Sequence, residues 1–233
     1  PSVQWKFNEA VWQAQSSTSV NNYTAKYYYQ DADGRGGVTA SSPNYPITGY
    51  VIKKYNHPMD AFQGTGARHI KKAYSIIRYA EILLSYAEAL NNLTGSHTVK
   101  LGDQDYTVSR NPEAIKEAFN GVRYRAGLPG LSASQLSSQA DVQKQIERER
   151  MVELLWENRR FYDVRRWGIY EETEREPIRG MNPDGATKET YYQRVIPGTS
   201  SFMTRVVNKK LAFMPIPRTE MRRLPSLDQN PGY

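Results

Sequence analysis

The sequence predicts a mainly α-helical fold with long irregular loops and a few short strands. Three observations carry this: a run of four-and-three apolar spacings over His69–Leu93, a capped helical segment beginning at Asn111, and a third helical pattern over Asp141–Trp167. The 66 residues at the start and the stretch 168–210 carry little helical signal. They are rich instead in Gly, Ser, Asn and Pro.

In the first helix Ile76, Ala80, Leu83, Ala87 and Leu90 form the expected apolar face, opposed by Glu81, Ser85, Glu88 and Asn92, with Gly95 as the stop. Residues 94–110 read as a loop or small hairpin. The second helix takes Asn111 as N-cap and Pro112 at its first position, because the ring needs no N–H there. Ile115, Ala118, Phe119, Val122 and Ala126 line its inner face, and Gly127 with Pro129 ends it.

The third helix, with a break expected near Asn158, is apolar on two sides. Val142, Ile146, Leu154, Phe161 and Val164 share one side with Glu149, Arg150, Glu153, Glu157 and Arg160, and Met151, Leu155 and Tyr162 form a second strip. A helix of this kind is central and buried, and charges on a buried face must pair. The expectation is an internal Glu/Arg network of Glu149, Arg150, Glu153, Glu157 and Arg160, centred on Glu153 and Arg160.

Short strands are expected at Val3–Phe7, Gly49–Tyr55, Ser201–Val207 and Leu211–Met214, and a short helix at Arg218–Arg223. No period of 20–50 residues repeats. The chain is read as one domain, 1–233, with an aromatic-rich segment of loops and strands over 1–66 and a helical core with loop excursions over 67–233.

Composition narrows the function classes. The net charge of +7 suggests nucleic acid. Its distribution argues otherwise, since the acidic and basic residues between Glu147 and Arg179 nearly balance and the excess falls in two separate patches, Lys53–Arg78 and Lys209–Arg223. With no cysteine there is no disulfide and no thiolate metal site. No apolar run reaches the roughly 18 residues of a membrane span.

Catalytic and metal readings find no matching pattern. Glycoside hydrolysis needs two carboxylates flanking a sugar pocket, and nothing in the spacing of Asp31, Asp33, Asp60 and Asp184 marks such a pair. His57, His69 and His97 stand apart, without zinc-ligand spacing. Asp31-Ala32-Asp33-Gly34 is similar to the start of a calcium loop but lacks the later bidentate Glu, so it reads as a turn and calcium is unsupported. The Glu/Arg set reads as structural rather than as an acid/base centre, and no catalytic residue, metal or cofactor is assigned.

Sugar binding has a clearer signature. It needs flat aromatic faces for the apolar faces of sugar rings and polar side chains for the hydroxyls. Trp12 to Tyr50 supplies both, and Trp12, Tyr23, Tyr28, Tyr45 and Asn44 are the candidate ligand-binding residues. The competing reading makes alternate tyrosines of Tyr27–Tyr29 core residues of a strand. Tyr170, Tyr191 and Tyr192 are further loop candidates, whereas Trp5, Trp156 and Trp167 are expected in the core.

Three blocks in order resemble the SusD/RagB family of outer-membrane nutrient-binding lipoproteins. They are Arg78-Tyr79-Ala80-Glu81-Ile82-Leu83-Leu84-Ser85-Tyr86-Ala87-Glu88-Ala89-Leu90 with Val122–Pro129; Glu149-Arg150 through Glu153, Glu157 and Arg160-Phe161-Tyr162-Asp163 to Arg165-Arg166-Trp167; and Pro215-Ile216-Pro217 with Gln229-Asn230-Pro231-Gly232-Tyr233. The resemblance covers about Gly49 to Tyr233 and corresponds to the C-terminal part of the family's length. The family's N-terminal half of TPR-like helical hairpins and its lipid-modified cysteine have no counterpart in the sequence.

The resemblance implies a cell-surface glycan-binding protein, non-catalytic, on the extracellular face of the outer membrane. The implied partners are a SusC-type TonB-dependent transporter and an oligosaccharide, with the membrane reached only through a lipid anchor outside this chain. Two alternatives remain: a structural lid or interaction protein for the transporter, and a peptide-binding member of the family.

Overall fold

A computed structural model of the chain describes residues 5–6, 11–15, 20–24, 26–31, 33–37, 45–52, 54–57, 60, 67–197 and 205–233. The elements in order are β1 (Trp5–Lys6), β2 (Val11–Gln15), β3 (Val20–Thr24), β4 (Val51–Ile52), α1 (Tyr79–Asn91), β5 (Ser96–Leu101), β6 (Gln104–Ser109), α2 (Pro112–Arg125), α3 (Ala133–Ser137), α4 (Gln139–Glu153), α5 (Arg159–Arg166), α6 (Tyr170–Arg175), β7 (Gly180–Met181), α7 (Lys188–Tyr191), β8 (Arg194–Val195), a 3₁₀ turn (Lys209–Ala212) and α8 (Arg218–Arg223). Helices dominate, and among the described residues the strands pair in twos, antiparallel: β1 with β4, β2 with β3, β5 with β6 and β7 with β8. The chain divides into two compact units, one over Ala73–Asp163 and one over Trp5–Lys72 with Val164–Tyr233.

The first unit is a helical cluster. Its core joins Ala80, Leu84 and Ala87 of α1 to Ile115, Ala118, Phe119 and Val122 of α2, with Leu131, Leu136, Val142 and Ile146 closing it from α3, α4 and the loop between α2 and α3. Leu84, Ile115, Phe119, Val142 and Ile146 are almost fully buried, and each such side chain contributes roughly 1.5–3 kcal/mol relative to exposure. Asn111 caps α2 as expected, its side-chain oxygen accepting from Glu113 and Ala114 N–H. Two buried amides tie this core to loops. Asn120 accepts from Leu131 N–H at 2.8 Å beneath Gly130, where a Cβ would sit 2.3 Å from the Asn120 side chain. Asn91 donates to the Gln139 carbonyl and accepts from Arg110.

The first helix is shorter than its sequence pattern. It starts at Tyr79, not near His69, and Ile76 is exposed. The segment before it has other partners: Ile70 N–H donates to Asp60 and Lys72 pairs with the same carboxylate. The buried face of α1 is Ala80, Leu84, Ala87, Glu88 and Asn91, rotated from the expected stripe so that Leu83 and Leu90 sit at its margin and Glu88 is inside.

The third helical pattern is interrupted. α4 ends at Glu153, Trp156 and Asn158 take left-handed conformations (φ 64° and 59°), and α5 begins at Arg159. A helical wheel drawn straight through this break misplaces the residues beyond it. Phe161, expected inside, is exposed, and so is Trp156, expected in the core, while Trp167 is half-buried. Residues 94–110 do form a hairpin, β5–β6, turning at Gly102-Asp103 and exposed along almost its whole length.

In the second unit, β1 and β4 fall within the expected strands at Val3–Phe7 and Gly49–Tyr55. The strand expected at Leu211–Met214 is a 3₁₀ turn over Lys209–Ala212. Asn208 caps it through Lys210 N–H, and Arg165 takes the Leu211 and Ala212 carbonyls that a ladder would need. Of the strand expected at Ser201–Val207 only residues 205–207 are described, and they are not strand; 201–204 lie outside the described residues. α8 forms at Arg218–Arg223 as expected. The terminal sequence block closes on itself: Gln229 accepts from Ile216 N–H and donates to Ile216 C=O, and Asn230 donates to the Met214 carbonyl at 2.6 Å.

Candidate functional site

Two constellations concentrate the polar and aromatic side chains: a buried ion network in the first unit and an aromatic cluster in the second. The network forms because α2 ends in Arg123 and Arg125 while Arg78 immediately precedes α1, so three guanidiniums face the acidic side of α4. Glu153 accepts from Arg78 at 2.7 Å and from Arg125 at 2.5 Å. Arg78 also forks onto Glu157 through Nε, at 2.9 and 3.0 Å. Arg123 reaches Glu149 at 2.9 Å, and Arg150 reaches Asp163 and the Ser85 hydroxyl.

Burial pushes the Glu153 carboxyl up, but hydrogen bonds from Arg125 and Arg78 outweigh it and hold it below the ordinary Glu value. Burial likewise lowers Arg78, and its two glutamate partners more than restore it. A carboxylate clamped ionised between two guanidiniums, both on its Oε1, has no proton to give at neutral pH. This chemistry orients helices.

Four of the five expected network residues, Glu149, Arg150, Glu153 and Glu157, are buried with these partners. Arg160 is not at the centre. Its neighbour Arg159 takes the inward place, with Nε 2.9 Å from Glu81 Oε1 and a hydrogen bond to the Ile76 carbonyl. The left-handed residues Trp156 and Asn158 cause this by resetting the helical phase before α5. Arg78, Arg123, Arg125 and Asp163 belong to the network without having been expected in it. Their signal in the sequence is position: the arginines stand in the last turn of α2 and just before α1, where short connections bring them to α4.

The aromatic cluster centres on Tyr191 at the end of α7. Tyr191 is 1% exposed, with the buried Tyr27 and the half-buried Tyr28, Tyr192, Val51 and Met181 around it. Tyr28 and Tyr192 meet its ring edge-on at centroid distances of 5.5 and 5.4 Å, the geometry favoured by ring quadrupoles. Its hydroxyl donates to the Gly49 carbonyl at 3.2 Å. Gly49 itself sits at φ 70° with no room for a Cβ, which would lie 2.6 Å from Met181 Cβ. Burial, with the neighbouring tyrosines, raises the Tyr191 phenol far above its usual value, so it stays a neutral donor.

The loops are sewn to this centre. Tyr29 N–H donates to Gly185 C=O and Met181 N–H to Thr48 C=O. Arg35 forks onto Asp184 at 2.7 and 2.9 Å. The cluster thus presents tyrosines graded in exposure from the buried Tyr27, through half-buried Tyr28, to the exposed Tyr29. These three occupy a loop and turn, not the strand that the core reading requires.

Of the candidate ligand residues, Trp12 and Tyr23 are Cα partners across the β2–β3 ladder. Tyr28 lies in the aromatic cluster, Tyr45 is half-buried in the loop before Gly49, and Asn44 lies outside the described residues. Tyr191, a loop candidate in the sequence, is the anchor of the cluster rather than an open platform, and Tyr170 stacks beneath the Arg165 guanidinium at 4.4 Å.

The loop carboxylates have separate partners: Asp184 has Arg35, Asp60 has Lys72, Ile70 N–H and His57 N–H, and Asp33 accepts from Lys26 N–H. Among the described residues no group of three or more His, Asp or Glu is placed to hold a metal ion, and no helix is long and apolar enough to cross a membrane.

The architecture defines a class before it defines a family: a helical unit locked by a buried Arg/Glu network, and a second, loop-rich unit with a tyrosine cluster at its core. The chain belongs to the SusD (SusD/RagB) family, which it matches over residues 2–233. It is similar in structure to a SusD-like protein from Bacteroides fragilis, with 27% identity and a TM-score of 0.67 over 98% of this chain and 38% of that one. It is also similar to a SusD-like carbohydrate-binding protein from the same organism, with 23% identity and a TM-score of 0.57 over 94% of this chain and 39% of that one. The chain therefore spans well under half the length of these solved relatives. No curated protein matches it.

Proposed function

We propose that this chain belongs to a cell-surface glycan-binding protein that captures oligosaccharide without chemistry for a SusC-type TonB-dependent transporter, at the extracellular face of the outer membrane. The observation that carries the reading is the tyrosine cluster around Tyr191 in a member of the SusD family. A relative of the same fold is a SusD-like carbohydrate-binding protein.

The contact residues of this reading are Trp12, Tyr23, Tyr28, Tyr45 and Asn44. Half-buried tyrosines held by a rigid anchor offer pre-ordered ring faces, so little side-chain freedom is lost on binding. The loop acids with cationic partners favour binding over hydrolysis, because a general acid needs a free proton and a nucleophile a free oxygen.

Isothermal titration of the full-length protein against a panel of oligosaccharides tests the proposal. Saturable heat with at least one glycan, lost on Tyr28→Ala, is the expected result. Silence toward every glycan with tight binding to peptides points to the peptide-binding reading. Silence toward both, with transporter association intact, points to a lid.

A further inference from the structure

Arg35 and Asp184 of the second unit pair at the surface, their side chains 46% and 54% exposed. An ion pair so open to water adds little stability. The two loops that carry it are already joined by backbone, since Tyr29 N–H donates to Gly185 C=O at 3.0 Å. As a staple the pair is therefore redundant.

Its bonding is also one-sided. Both carboxylate oxygens of Asp184 accept from a single nitrogen of Arg35, Nη1, at 2.7 and 2.9 Å. Among the described residues Nε and Nη2 of Arg35 have no partner. With Nη1 tied down, the other edge of the planar guanidinium presents its donors in a fixed orientation. Each Asp184 oxygen keeps a lone pair for a second donor.

A ring stands beside the pair. Gly36, next to Arg35, donates its N–H to Tyr29 C=O, and a Cβ at Gly36 would lie 2.9 Å from Tyr29 Cε1 and Cζ. Gly36 does not take the left-handed conformation, so what excludes a side chain there is the closeness of Tyr29, its carbonyl as well as its ring. Tyr29 is thus bonded through both backbone groups with its ring set against bare backbone. It is 37% exposed, and no described ring or cation stacks on it. Its neighbours Tyr27 and Tyr28 belong instead to the cluster around Tyr191.

A ring face with a donor edge and two acceptor oxygens beside it is a recognition set for a sugar. The C–H face of a pyranose packs on the ring, and two adjacent hydroxyls accept from the guanidinium and donate to the carboxylate. Charge decides the kind of sugar. The paired guanidinium and carboxylate sum to zero, and the carboxylate repels an anion approaching the free edge of Arg35.

We propose that Tyr29, Arg35 and Asp184 form a subsite for a neutral pyranose with two adjacent hydroxyls. Tyr29 stacks on the sugar ring, Arg35 donates through Nε and Nη2, and Asp184 accepts. The subsite rests on the glycan-binding reading and adds to it three residues outside its contact set and a preference against acidic sugars.

Calorimetric titration of the full-length protein tests this, with hexaoses of glucose, mannose, galactose and xylose as neutral probes and hexagalacturonate as the acidic one. For a neutral hexaose that binds, Tyr29→Ala and Arg35→Ala are each expected to weaken affinity about tenfold. Tyr29→Phe keeps the ring and is expected to bind like the parent. The charge-exchanged variant Arg35→Asp/Asp184→Arg separates a ligand contact from a loop tie. It restores the tie, yet the affinity loss is expected to persist, because donors and acceptors have changed places. Recovery of affinity in that variant overturns the subsite, as does parent-like binding by Tyr29→Ala and Arg35→Ala, and both results leave glycan binding standing. Preference for hexagalacturonate overturns the neutral class and the proposal with it. A parent silent toward all of these probes overturns the subsite together with the glycan-binding reading.

Discussion

Arg150 and Asp163 face each other fork to fork. Arg150 Nε lies 2.8 Å from Oδ2 and a terminal nitrogen 3.0 Å from Oδ1, with both side chains buried, joining α4 to α5 across the left-handed break. Removing one partner strands a buried charge. Asp163→Leu alone is expected to cost roughly 3–5 kcal/mol, and the double variant Arg150→Met/Asp163→Leu clearly less, because the desolvation of both ions is relieved together. Urea denaturation of the single and double variants checks this. A double variant as unstable as the sum of its singles contradicts it.

The break itself makes an opposite prediction. Trp156 is held at φ 64° with its ring exposed, a conformation that disfavours every side chain and bulky ones most. Trp156→Gly relieves the backbone and sacrifices little packing. It is expected to stabilise the chain by about 0.5–1 kcal/mol, whereas Asn158→Gly gains less because asparagine tolerates the left-handed region. Thermal melts of the two variants, in which Trp156→Gly has the higher Tm, check the order.

These two sites also mark how far the fold is legible in the sequence. The N-cap at Asn111, the core positions of α2 and the need for Glu153 to find a cation all follow from local spacing, and the structure has them. Continuity does not follow. Spacing alone extends the first helix back to His69, because the tertiary partners of Asp60, Ile70 and Lys72 leave no periodic trace, and although the break expected near Asn158 is present, spacing does not show the change of helical phase that the left-handed turn makes there. The phase error then displaces one cation, so Arg159 stands where Arg160 is expected.

The aromatic cluster is legible as composition and not as geometry. The density of tyrosine over Tyr23–Tyr50 points to the right segment, but Tyr191 lies 142 residues from the Gly49 carbonyl that it bonds. No local signal shows such a pairing. Arg35 and Asp184, 149 residues apart, are hidden for the same reason.

The ion network sets a pH dependence. The Glu153 carboxyl is held below its ordinary value, so folded protein binds its proton less readily than unfolded chain does. Its contribution is present above the unfolded Glu value of about 4.3 and is lost as pH falls through the lower folded value. Asp60, strongly lowered by its hydrogen bond from Lys72, works in the same direction. Glu153→Gln is therefore expected to be less stable than the parent at pH 7 and to lose less stability on acidification. Denaturation midpoints from pH 7 to pH 3 check this, and parallel curves refute it.

The last prediction separates anchor from platform in the tyrosine cluster. Tyr191 is fully buried and bonded, so Tyr191→Ala opens a cavity and is expected to cost roughly 3–5 kcal/mol, the range for large aromatic truncations. Tyr191→Phe keeps the ring and loses only the hydrogen bond to Gly49, costing about 1 kcal/mol. Tyr28 is half-buried and touches Tyr191 by its edge, so Tyr28→Ala has a smaller effect on folding. Under the glycan-binding proposal the order reverses for ligand: Tyr28→Ala loses about 1–3 kcal/mol of affinity as a lost ring face, while Tyr191→Phe binds like the parent. Parallel measurement of melting and glycan titration on the three variants gives the discriminating pattern. Affinity losses that simply track the stability losses would assign Tyr28 to the core and leave the contact surface to Trp12, Tyr23 and Tyr45.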